Sequence, residues 1–460
     1  MTQTASPSVA SRTDPPLLLQ GGTVLTLDAE ATVLRGADVL VEEETITSLG
    51  RASVVPPNAR MLDVTGCLVL PGLIQGHLHL GQTFFRGLGE GRRLLAWLRE
   101  RIWPLEAAHD DESAYWCGLL GAVECLLGGT TTIQDIGIGP GASGLLRAIA
   151  DSGLRAFAGE CLMDSGDGLP AAMRGDTDAV LAATEAAGDR FERGGAGRLR
   201  YLLNPRFILT CSDPLWDGIR DLSLRRGWPV HTHGLEQLDE TLAVREIKNG
   251  RDEIQYFADQ GILATDLRLA HGVWITAEHL ERVRAQRFSV VHCPSSNLKL
   301  GSGIADVLAI RRAGVPVGIG TDGAACSNQL DNFAELRLAA LLQKLKHGPD
   351  AFSGLDALRL ATSEGARTLG LQDAIGSLEP GKAADLVVLA AGRPELWGAA
   401  EADLHDLVAF GASRGTVRHV VVDGQLLVED GRLTRLDAGE VFREAGRCLR
   451  DLIRRSGVGF

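Results

Sequence analysis

The sequence predicts an α/β protein: a (β/α)₈ barrel of TIM type with a small β-sandwich built from both chain termini. Two observations carry this expectation. Between residues 68 and 367, short apolar runs alternate with longer segments that are apolar at helical spacing. Near-continuous apolar strands interleaved with helices mark a parallel sheet buried on both faces. Outside that span the texture changes to short alternating strands separated by Gly-Gly, acidic and Asp-Gly turns.

The elements follow in order. Residues 1–16, MTQTASPSVASRTDPP, are polar, lack the apolar core of a signal peptide and are expected to be disordered. Residues 17–67 carry LLLQGGTVLTLD and ADVLVEEETITSLG, which read as strands. About eight apolar runs then follow: CLVLPGLIQG, TTTIQD, LRAFAGECL, LRYLLNPRF, WPVHTHG, LRLAHGVW, FSVVHCPSS and VPVGIGTDG. Stretches such as ESAYWCGLLGAVECLLGG lie between them as helices closed by glycines. A doubly wound open sheet is the alternative, but no G-x-G-x-x-G loop follows the first strand. Residues 368–435 return to strands in GKAADLVVLA and TVRHVVVDGQLLVEDGRL, and 436–460 read as a C-terminal helix. One composite domain from 17–67 and 368–435 is more economical than two separate β edges, because chain termini usually lie close together.

Composition narrows the function. The chain has 460 residues, 45% apolar and 23% charged, with a net charge of −13. That charge argues against nucleic acid and anionic membranes as partners and favours a small-molecule substrate. No run approaches the ~18 apolar residues of a membrane span. The eight cysteines form no C-x-x-C pair, so they read as buried free thiols of a cytoplasmic protein.

In a barrel the chemistry gathers at the C-terminal ends of the strands. Those ends hold His77, His79, Asp135, Arg206, His233, His271, His292 and Asp322. Five of these eight are histidines, in a chain with only eleven, so the clustering is not casual. His77 and His79 are two apart and point to one side of a strand, where they can share an ion. With His233 and Asp322 they offer three nitrogens and one oxygen, which suits one Zn²⁺ (or Fe²⁺) with an open position. His231 competes with His233 in VHTHG. Glu236, three residues past His233, favours the latter, because a carboxylate there can exchange a proton with an attacking water. Asp239 and Glu240 of the same acidic run are expected at the surface. His271 faces the same cavity and can steady the attacking oxygen. His292 is as readily a buried structural residue as a functional one, and Asp135 reads as structural.

These residues, in PGLIQGHLHL, HTHGLE, LRLAHG and GIGTDG, resemble the mononuclear-metal deaminases of the amidohydrolase superfamily. The likeness covers nearly the whole chain, including GKAADLVVL and VRHVVVDGQLLVEDGRL. Strand four ends in NPRF without the lysine of binuclear relatives, so the resemblance implies one ion. WPLEAAHD, HCPSSNLKLGSGIA and GTDGAACSNQLDNFAELRLAALLQK resemble deaminases of S-adenosylhomocysteine, methylthioadenosine and 5′-deoxyadenosine. There a glutamate matching Glu106 is implicated in holding ribose hydroxyls. Those enzymes usually carry a histidine after the strand-four proline, whereas Arg206 and Phe207 follow Pro205 here. NPRFILTCS, together with Gln82, looks instead like guanine deaminase. In that family the matching arginine and glutamine read the purine, which places Gln82, Glu106, Arg206 and Phe207 as substrate contacts.

The resemblance implies hydrolytic deamination of a purine-type heterocycle or nucleoside, with Glu236, His271 and Asp322 as catalytic groups. The alternatives are a guanine, pterin or 8-oxoguanine deaminase, or a triazine chlorohydrolase or amide hydrolase with the same ligands. A homo-oligomer is implied as well.

Overall fold

A computed structural model describes residues 15–51, 54–195 and 197–459. The expected disordered segment 1–16 falls almost wholly outside them. The fold is α/β, and its centre is parallel. Five strands pair in the order Leu199–Tyr201, Arg155–Ala158, Thr130–Asp135, Leu73–His79 and Asp322–Gly323. Four more pair in the order Val230–Gly234, Leu267–His271, Phe288–His292 and Val317–Ile319. Short extensions, Cys161–Leu162 and Asn204–Pro205, pair beyond the third and fourth strands. An isolated parallel bridge joins Leu203 to Val230.

Most of these strands are buried along their whole length, as the continuous apolar runs require. Strand Leu73–His79 lies so close to the start of strand eight that a Cβ on Gly320 would stand 2.4 Å from the His77 carbonyl oxygen. Only glycine permits that approach. Helices pack between the strands. The longest of them, such as Asp111–Leu127, opens on an Asp110 capping box.

The terminal strands form one nine-stranded mixed sheet. Leu17–Leu25, Val33–Glu42, Thr45–Gly50, Arg60–Asp63 and Cys67–Pro71 join Leu386–Ala390, Val417–Val422, Gln425–Glu429 and Arg432–Leu433. The seam between the chain's two ends is the antiparallel pair Cys67–Pro71 with Leu386–Ala390. Arg155, at the start of the third parallel strand, ties this sheet to the centre through Asp385 at 2.8 Å and Asp423 at 2.6 Å. A final helix, Ala438–Ser456, packs near Asp111–Leu127 through Val441 and Ala445. Among the described residues no helix is long and apolar enough to cross a membrane, and all eight cysteines are buried and free.

Candidate active site

Period-two geometry sets the site. His77 and His79 close the first strand and turn the same way. His231 and His233 do so on the fifth, His271 ends the sixth and Asp322 opens the last short strand. One ligand atom each from His77, His79, His233 and Asp322 can be chosen so that all lie within 4.8 Å of one another. His79 Nε2 is 3.1 Å from both His233 Nε2 and Asp322 Oδ1, and His77 Nε2 is 3.3 Å from that same oxygen. Such convergence of buried nitrogens on a carboxylate is what a four-coordinate ion needs. His77 Nε2 has no hydrogen-bond partner in the protein, which supports the fit.

The electrostatics agree. Burial lowers His77 to about 4 and pushes His233 well below the usual imidazole range, so both are neutral and able to ligate at pH 7. Burial opposes ionisation of Asp322, but hydrogen bonds from His77 and His79 outweigh it and hold the carboxyl well below normal. Asp322 and His271 also sit at φ +60° and +76°. Non-glycine residues rarely adopt this left-handed region, and it concentrates at functional sites.

His231 stands behind the cluster. Its Nδ1–H donates to the Arg268 carbonyl at 2.9 Å, and its Nε2 accepts from His77 at 2.8 Å. The competition within VHTHG thus resolves into two layers, with His233 inside and His231 supporting His77.

A cavity of about 350 Å³ opens over the cluster. His79, Gln82, Arg206, Phe207, His233, Glu236, His271 and Asp322 line it, with Leu94, Trp97, Leu98 and Leu300 as an apolar wall. Three wall residues come from helix Leu94–Trp97 and the one-turn π-helix Leu98–Ile102, a local form frequent at functional sites. Sequence periodicity gives no sign of that wall. Glu236 Oε2 lies 3.4 Å from His271 Nε2, while Glu236 Oε1 is buried without a partner. Burial, and then the Asp322 charge, raise the Glu236 carboxyl well above its ordinary value. His292 is buried, both its ring nitrogens lack partners, and it is absent from the cavity lining.

Two expectations change. Glu106 does not line the cavity. It lies fully buried behind Arg206 and Gln82, paired with Arg206 Nη1 at 2.6 Å and accepting from Gln82 Nε2 at 2.8 Å. Glu240 is not at the surface. Its carboxylate is buried and accepts the backbone N–H of Glu236 at 3.0 Å and Gln237 at 3.3 Å, fixing the loop that carries Glu236. Asp239 is exposed as expected, in an ion pair with Arg93.

Sequence reasoning passed over one short helix, Pro294–Lys299. Its Ser296 hydroxyl donates to Asp322 Oδ2 at 2.6 Å, and Asn297 Oδ1 accepts from His271 Nδ1 at 2.9 Å. Glu335 anchors it by accepting the Ser295 N–H at 3.0 Å, and burial pushes the Glu335 carboxyl up to about 8. The sign follows from proton binding. The unfolded chain releases this proton at the normal carboxyl value of 4.5 and the folded one near 8, so stability falls as pH rises between them. Glu335→Gln keeps an acceptor oxygen and has no proton to lose. Its melting temperature should match wild type near pH 5 and exceed it progressively towards pH 9; a constant offset would refute the assignment.

Three imidazoles and one carboxylate gathered at the C-terminal ends of parallel strands define a metal-dependent hydrolase. The chain belongs to the amidohydrolase family, whose profile matches residues 68–427. It is 33% identical over 446 residues to a 5-methylthioadenosine/S-adenosylhomocysteine deaminase of Pelotomaculum thermopropionicum, covering 95% of this chain and 99% of that one. A 5′-deoxyadenosine deaminase of Methanosarcina mazei is 32% identical, again over 95% of this chain and 99% of its own. Among solved structures, an adenosine deaminase from Xanthomonas campestris with bound zinc superposes with a TM-score of 0.87 at 29% identity, over 95% of this chain and 98% of the other.

Proposed function

We propose that the protein is a zinc-dependent hydrolytic deaminase of 5′-modified adenosines. The observation that carries this is the buried His77–His79–His233–Asp322 cluster, with Glu236 and His271 facing one cavity beside it. The adenosine-type deaminases among its relatives, similar over almost their full length, support the substrate class.

Zinc bound to these four residues would lower the pKa of an attacking water to roughly 7. Glu236 then takes a proton from that water and delivers it to the ring nitrogen beside the attacked carbon. His271 steadies the attacking oxygen from Nε2, because Asn297 engages its Nδ1. Asp322 shares in accepting the water's protons. Loss of ammonia after a second proton transfer leaves the ring carbonyl, so water and amine exchange with atoms balanced.

Phe207 and the apolar wall of Leu94, Trp97, Leu98 and Leu300 suit an apolar end of the substrate, and Arg206 is engaged with Glu106. Methylthioadenosine and 5′-deoxyadenosine fit this lining better than a nucleoside ending in an amino-acid carboxylate. Ammonia release from zinc-loaded protein, measured over those two compounds, S-adenosylhomocysteine and guanine, tests the reading. The first two should give the highest kcat/KM. Turnover of guanine alone would replace this reading with the guanine deaminase one.

The architecture we infer is a closed eight-stranded barrel over 68–367, a composite sandwich from 17–67 and 368–435, and a helix in 436–460. The Leu203–Val230 bridge and the Asp322–Leu78 pair support closure, since they join the separate parallel sets. The same reading makes the protein a cytoplasmic homo-oligomer acting on a small molecule; the −13 charge supports a partner other than nucleic acid.

A further inference from the structure

A histidine that ligates a cation through Nε2 carries its remaining proton on Nδ1, and that proton needs an acceptor. Two of the three imidazoles have one. His233 Nδ1 donates to the Arg206 carbonyl at 2.6 Å. His77 Nδ1 donates to His231 Nε2 at 2.8 Å, and His231 is free to accept there because its own Nδ1–H is spent on Arg268. The third, His79, faces the side-chain amide of Gln82, whose Nε2 is 3.2 Å from its Nδ1.

That amide is fully buried and closely held. Its nitrogen also donates to Glu106 Oε1 at 2.8 Å, while its oxygen has no partner and lies against Gly323, where a Cβ would stand 2.1 Å away. An amide's nitrogen and oxygen exchange places by a half-turn of the terminal group. Such a turn aims the unpartnered oxygen at His79 Nδ1–H and completes the third support. Glu106 keeps its pair with Arg206 through the other carboxylate oxygen.

We propose that Gln82 is a positioning residue of the metal centre, its amide oxygen accepting the Nδ1–H of His79, and that this, not reading of the purine, is what the residue contributes. The inference rests on the metal reading above and extends it to a residue that the sequence assigns to substrate. It also explains the buried Arg206–Glu106–Gln82 arrangement. Arg206 is joined to His233 through its carbonyl, and to His79 through Glu106 and Gln82. The substrate-side arginine and two metal ligands therefore share one hydrogen-bonded set.

The test measures zinc affinity with no nucleoside present, by competition between metal-free protein and a chromophoric chelator. Gln82→Met keeps the length of the side chain but accepts no such bond, and should bind zinc roughly 10–100-fold more weakly. The double variant Gln82→Glu with Glu106→Gln conserves charge, keeps an oxygen facing His79 and lets the new amide donate in return. It should restore affinity to the wild-type order of magnitude, with the metal-free melting temperatures of all three proteins compared as a control. Wild-type affinity in Gln82→Met, or no recovery in the double variant, would overturn the proposal. Failure of the wild-type protein itself to bind zinc would overturn the metal reading beneath it.

Discussion

Glu236→Gln should retain one zinc per chain and lose about 10²–10⁴-fold in kcat, the range typical of a general acid–base group. The side chain is buried, one carboxylate oxygen lies 3.4 Å from His271 Nε2, and the other is unpartnered towards the cavity. Burial keeps the carboxyl well above its usual range, which suits a group that must hold a proton and then release it. Glutamine fills the same space and can still hydrogen-bond, so binding of substrate should change far less than turnover. Ammonia release at saturating substrate, with metal content measured on the same samples, checks this. Wild-type turnover in the variant would remove Glu236 from the mechanism.

His77→Ala should lose both the metal and the activity. The side chain is wholly buried and neutral at pH 7, and its free Nε2 lies 3.3 Å from Asp322 Oδ1. Its removal takes one of four ligands and also leaves His231 Nε2 without the proton it accepts. Asp322, held ionised by hydrogen bonds from His77 and His79, would keep only one of these in a buried position. An unpaired buried charge is strongly destabilising, so the metal-free variant should also melt below wild type. Metal analysis after purification in excess zinc is the direct measurement, and stoichiometric zinc would contradict the ligand set.

How much of this was legible beforehand depends on the range of the interaction. His77 and His79 could be paired from spacing alone, because strand periodicity places residues two apart on one face. The alternation of apolar runs with helices likewise announced an α/β fold with parallel strands. The same periodicity could not separate His231 from His233, since both point the same way in VHTHG. Packing decided between them, by setting the Arg268 carbonyl beside His231 Nδ1. Glu240 looked like part of a solvated acidic run, yet the turn after strand five folds it inward onto the backbone of Glu236.

The sequence by itself determined the fold class and the donor set, because both are written in local period and residue chemistry. Tertiary structure alone decided which donor is supported by what. Glu106 meets Arg206 across 100 positions, and His77 meets His231 across 154. Contacts at such separations depend on how strands and loops close in space, and no local pattern of side chains encodes them.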